Sequence, residues 1–79
     1  MTKHDLLSHL QTSAGADAND IASIFGLAYP AAAMALLRLA RQGLALRLLD
    51  PETGTYWYRI NRHGKARLAW LDSVAARGE

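Results

Sequence analysis

The sequence has no cysteine, which removes disulfides, thiolate metal sites and cysteine nucleophiles together and fits a reducing cytoplasm. It also lacks the marks of an enzyme. Ser8, Ser13, Ser23 and Ser73 have no nucleophile-elbow context, no glycine-rich loop is present to cradle a phosphate, and 79 residues leave little room for a substrate cavity. No catalytic residue, cofactor or small-molecule ligand is expected. The opening run MTKHDLLSHLQ carries charges among its apolar residues and has no small-residue cleavage site, so neither a signal peptide nor a membrane span is expected. Metal-ligand spacing is missing too: His4 and His9 are five residues apart and diverge by about 140° on a helix. They read as surface histidines near carboxylates.

What remains is 51% apolar and 20% charged, the balance of a small folded domain, expected to span residues 1–79 as one unit. Charge is unevenly spread. Residues 1–37 hold one lysine against three aspartates, net −2, while residues 38–79 hold eight bases against four acids, net +4. Seven of the nine bases are arginine, whose planar fork suits phosphate and guanine.

Thr2 followed by Asp5 is a capping-box start for a helix over about 3–12, with Leu6, Leu7 and Leu10 on one face. TSAGA reads as a loop. Asp17 with Asp20 repeats the cap before a short helix over about 18–25, closed by Gly26. Pro30 suits the first turn of a third helix, 30–42, which buries Ala32, Leu36, Leu39 and Ala40 and turns Ala31, Met34, Arg38 and Arg41 outward, with Gly43 at its end. From Leu44 the period becomes two, giving a β-hairpin over 44–60 around the turn DPETG. Asn61 then caps a fourth helix, about 62–76, with Gly64, Leu68, Leu71 and Ala75 on one face. Ala66, Trp70 and Val74 form a second apolar stripe. The fold class is mainly α with a small β-hairpin.

Two stretches carry a family likeness. DIASIFGLAYPAAAMALLRLARQGLA holds an Ile-Ala pair, a Gly-Leu turn and Leu-x-x-Leu before a glycine and a strand, and YRINRHGKARLAWL leaves the hairpin through a polar cap and a glycine into a leucine-bearing helix. Together they resemble a winged helix-turn-helix domain, similar to the MarR-like bacterial transcriptional regulators. The resemblance implies that helix 30–42 enters the major groove of double-stranded DNA beside the hairpin wing. Carried onto this chain, it places Tyr29, Ala31 and Met34 near the bases and assigns phosphate contacts to Arg38, Arg41, Arg47, Arg59 and Arg62. Only Tyr29 among the first group offers a hydrogen bond, so base discrimination is expected to be weak. Asp50 and Glu52 put carboxylates at the wing tip.

Pairing Leu44 with Ile60 would set Arg47 opposite Trp57 on the face away from the core, within reach of a cation–π contact of about 0.5–1 kcal/mol. Leu37, Trp57, Trp70 and Val74 leave more apolar surface than one small core needs and are expected to form a homodimer or partner interface. The expected function is that of a cytoplasmic DNA-binding regulator. The alternative is a winged-helix interaction or dimerisation module that binds no DNA.

Overall fold

The computed structural model describes the backbone of residues 1–77 and the side chains of residues 1–74; Gly78, Glu79 and the predicted contact face of Ala75 lie outside the described residues. Four helices and three strands follow in the order α1 (Lys3–Ser13), β1 (Ala16–Asp17), α2 (Ala18–Phe25), α3 (Tyr29–Arg41), β2 (Ala45–Leu49), β3 (Tyr56–Ile60) and α4 (Arg62–Arg77). This is the winged helix-turn-helix arrangement expected from the sequence, with one addition. The TSAGA segment is not wholly a loop, because Ala16 and Asp17 pair with Tyr58 and Trp57 of β3. The sheet therefore runs β1-β3-β2, all antiparallel, with β3 at its centre.

Local signals set the helix starts. The Asp5 amide donates to Thr2 Oγ1 (3.1 Å) and the Thr2 amide to Asp5 Oδ2 (2.9 Å), closing the first box. The Thr2 amide, and after it the Thr2 hydroxyl, stabilise the ionised Asp5 carboxylate and hold its pKa below the ordinary range. The second box has the Asp20 amide on Asp17 Oδ1 (2.9 Å) and the Asp17 amide on Asp20 Oδ2 (3.2 Å). At α4 the Gly64 amide donates to Asn61 Oδ1 (2.8 Å), as the Asn61 cap predicts.

Leu6, Leu7 and Leu10 of α1, Ile21 of α2, and Ala32, Leu36 and Leu39 of α3 are buried together. Tyr58 and Ile60 of β3 and Leu68 of α4 complete the core. His4 and Asp72 form an ion pair that joins the start of α1 to α4, 68 residues away in sequence, so His4 finds its carboxylate on another helix. Among the described residues no single helix is long and apolar enough to cross a membrane.

α1 ends without the usual glycine: Ala14 sits in the left-handed region at φ 62°, ψ 19°. An alanine there costs about 1–2 kcal/mol relative to glycine, part of which is offset by the greater freedom of glycine in the unfolded chain. Ala14→Gly is expected to stabilise the domain by about 0.5–1 kcal/mol. A urea-denaturation midpoint that falls on substitution would contradict this.

Candidate nucleic-acid interface

The α2–α3 connection is tight because Gly26 takes φ 66° and the Leu27 amide bonds back to the Ala22 carbonyl (2.9 Å). The chain then turns by 116° into α3, within the range of helix-turn-helix units. Ala28 is the N-cap of α3 and supplies no capping side chain, and no acidic residue occupies the first turn. The burial of Ala32, Leu36 and Leu39 turns the other side of the helix outward, so Tyr29, Ala31, Met34, Arg38 and Arg41 are all exposed. Tyr29 and Met34 face the hairpin across a cleft of about 270 Å³, whose walls include Leu37, Arg47, Thr55 and Tyr56.

The hairpin register differs by one residue from the Leu44–Ile60 expectation. Ala45 opposes Ile60, Leu46 opposes Arg59, Arg47 opposes Tyr58 and Leu48 opposes Trp57. Both ends of the hairpin fix this. At the tip the Asp50 amide donates to the Thr55 carbonyl (2.8 Å), and Gly54, at φ 72°, donates to the Asp50 carbonyl (2.8 Å), enclosing four loop residues. At the base the Asn61 amide reaches the Leu44 carbonyl (3.4 Å) and Asn61 Nδ2 donates to the Gly43 carbonyl (2.9 Å). A one-residue shift moves every side chain of one strand to the other face relative to its partner.

The predicted Arg47–Trp57 contact is therefore replaced. Arg47 lies on the same face as Tyr56 and Tyr58: its Nε donates to the Tyr58 hydroxyl (3.2 Å), and its guanidinium carbon sits 3.6 Å above the Tyr56 ring. Of five guanidinium donors, one is taken by Tyr58, and the side chain lines the cleft. Tyr56 and Tyr58, which hold the Arg47 side chain, are not among the site residues expected from the sequence. Their signal was present in the two-residue period, but the phase depended on the register.

The other predicted residues separate. Arg41 is exposed in the last turn of α3 beside Arg38, where both favour the negative end of the helix. Arg38 flanks a second cleft with Lys3 at the start of α1. Arg59 and Arg62 lie in a third cleft with Leu46 and Lys65, away from α3. Asp50 turns its carboxylate inward to accept the Glu52 amide (3.0 Å), so the tip carries one uncommitted carboxylate rather than two. Asp17, the cap of α2, adds a carboxylate to the wall of the α3–hairpin cleft.

The expected partner interface is likewise divided. Leu37 is half-buried in the α3–hairpin cleft, Trp57 stands on the opposite face of the hairpin at 40% exposure, and Trp70 and Val74 lie on α4 at 56% and 36%. The Arg67 guanidinium carbon lies 5.9 Å from the centre of the Trp70 ring. Among the described residues no group of three or more histidine, aspartate or glutamate side chains could hold a metal ion.

No protein-family model matches the sequence, and no curated protein matches it significantly. Solved structures do match in shape. Wild-type MarR from E. coli, in its apo form, superposes with a TM-score of 0.84 at 16% identity over 96% of this chain. A mutant MarR from E. coli complexed with operator DNA gives 0.83, also at 16% identity. The PcaV transcriptional regulator from Streptomyces coelicolor, in complex with its natural ligand, gives 0.82 at 26% identity over 95% of this chain. The chain spans little more than half the length of each, 57%, 55% and 54% respectively. The fold of this chain is the winged helix-turn-helix fold that these structures share.

Proposed function

We propose that the chain is a DNA-binding domain of a transcriptional regulator, docking α3 in the major groove and the hairpin against the flanking backbone. The observation that carries this reading is the placement of Arg47. A guanidinium stacked on Tyr56 and hydrogen-bonded to Tyr58 is an oriented phosphate donor beside the exposed face of α3. That a MarR on the same fold was crystallised with operator DNA supports the reading. Tyr29, Ala31 and Met34 would meet bases, and Arg38, Arg41 and Arg47 phosphates. Since Tyr29 holds the only hydrogen-bonding group of the first set, recognition is led by the backbone and selects sequence weakly.

The stripe of Ala66, Trp70 and Val74 is exposed along α4 and suits a second copy of the chain, so the domain would act as a dimer in the cytoplasm. A small-molecule ligand is compatible with the fold, since PcaV carries one.

Three neutralised phosphates give a defined salt response. A fourfold rise in monovalent salt is expected to weaken binding to a short duplex by about 40-fold. Fluorescence anisotropy at two salt concentrations measures this directly. Affinity that does not change with salt would reject the arginine–phosphate model.

A further inference from the structure

The register that turns Arg47 toward α3 turns Leu46, Leu48, Trp57 and Arg59 to the other side of the hairpin. Leu46, Leu48 and Trp57 are 43%, 46% and 40% exposed there. Beside them, Arg59, Arg62 and Lys65 converge on a cleft of about 690 Å³ between the end of α1, the base of the hairpin and the first turn of α4. No carboxylate is among the described residues lining it, and none of the three cations pairs with a described carboxylate. Arg62 and Lys65 also occupy the positive end of α4, where cations are locally unfavourable. The cluster is thus an uncompensated positive site bordered by exposed apolar side chains.

We propose that this face docks an acidic, amphipathic segment of a partner protein. Its carboxylates would meet Arg59, Arg62 and Lys65, and its apolar side chains would cover Leu46, Leu48 and Trp57. A phosphate backbone would answer the charge but leave the three apolar side chains in water. A second copy of this chain has too few carboxylates to offer. Asp5, Asp17 and Asp20 are engaged in the capping boxes, Asp50 in the hairpin turn and Asp72 with His4, which leaves Glu52 among the described residues. The occupant is therefore a different chain, recognised by charge and apolar contact together.

The test is an amide chemical-shift titration with three probes: a short synthetic peptide interleaving glutamate with single leucines, polyglutamate, and a short DNA duplex. The peptide is expected to shift Leu46, Leu48, Arg59 and Lys65, to bind more tightly than polyglutamate, and to lose about tenfold in affinity in an Arg59→Glu, Arg62→Glu double variant. Should the fold of that variant be disturbed by circular dichroism, an Arg62→Gln, Lys65→Gln variant makes the same measurement. Unchanged peptide affinity in the variant overturns the proposal. So does a duplex that shifts these amides more strongly than the peptide, which would make the face a second nucleic-acid contact, and so does peptide binding that maps to the Ala66, Trp70 and Val74 stripe of α4 instead.

Discussion

Replacing Gly64 by alanine is expected to destabilise the domain by about 2 kcal/mol, a fall of roughly 10 °C in thermal midpoint for a chain of this size. The sign is what makes the experiment informative. Gly64 lies in the first helical turns of α4, where alanine is the better helix former by about 1 kcal/mol, so a purely local view forecasts stabilisation. The tertiary contact forecasts the reverse. A β-carbon at Gly64 would lie 2.0 Å from the Leu44 carbonyl oxygen and 2.7 Å from Ile60 Cγ1. The carbonyl cannot easily retreat, because Asn61 ties the strand ends together by donating from its amide to Leu44 and from Nδ2 to Gly43. Relief would have to come from moving α4 off the hairpin, against the burial of Leu68 and Ile60. Overpacking at the upper end of its usual range, about 3 kcal/mol, exceeds the helix-propensity gain. A midpoint that rises in Gly64→Ala would mean that α4 and the hairpin are not in the close contact described.

The second large effect is on binding. Arg47→Ala is expected to weaken duplex affinity by about 10- to 100-fold, the loss of one charge-assisted hydrogen bond, and to lower the salt exponent by about 0.9. Tyr58→Phe separates charge from orientation. It removes the hydroxyl that accepts from Arg47 Nε while leaving the guanidinium and its stack on Tyr56 in place. Affinity should fall only a few-fold, about 1 kcal/mol or less, with the salt exponent unchanged. If Arg47→Ala binds DNA as the parent does, the hairpin is not a phosphate contact and the proposed docking geometry fails.

These two positions also mark where the sequence was legible and where it was not. Thr2 with Asp5, Asp17 with Asp20, and Asn61 before Gly64 are pairs within three residues, and each forms the bond its spacing implies. The bounds of α2 at 18–25 follow from such signals, and those of α3 differ by one residue at each end. The hairpin was legible as a hairpin, but its register was not. Leucines at 44, 46, 48 and 49 fit either face, and the deciding contacts come from the loop closure at Thr55 and the Asn61 clasp. That single ambiguity exchanged Trp57 for Tyr56 and Tyr58 as the partners of Arg47. Non-local pairings were out of reach for the same reason: nothing near His4 announces Asp72, and nothing in TSAGA announces an edge strand on β3. The arginines could be counted but not sorted, which is why Arg59 and Arg62 were grouped with Arg47 although the sheet sets them apart.

The two-residue strand β1 has a mechanical meaning larger than its length. Asp17 is at once a rung of the sheet, opposite Trp57, and the cap of α2, so the helix-turn-helix starts from a strand bonded to the hairpin. Tyr58, opposite Ala16, in turn holds the Arg47 side chain. Strand partners stand about 4.8 Å apart and shear only by breaking their bonds. The helix and the hairpin are therefore the two jaws of a caliper whose gauge is set before any ligand arrives. A caliper already set gives up little conformational entropy on closing around its object, and it rejects an object of the wrong width. Under the proposed docking, a chain with so few base-reading side chains would select its duplex by groove width.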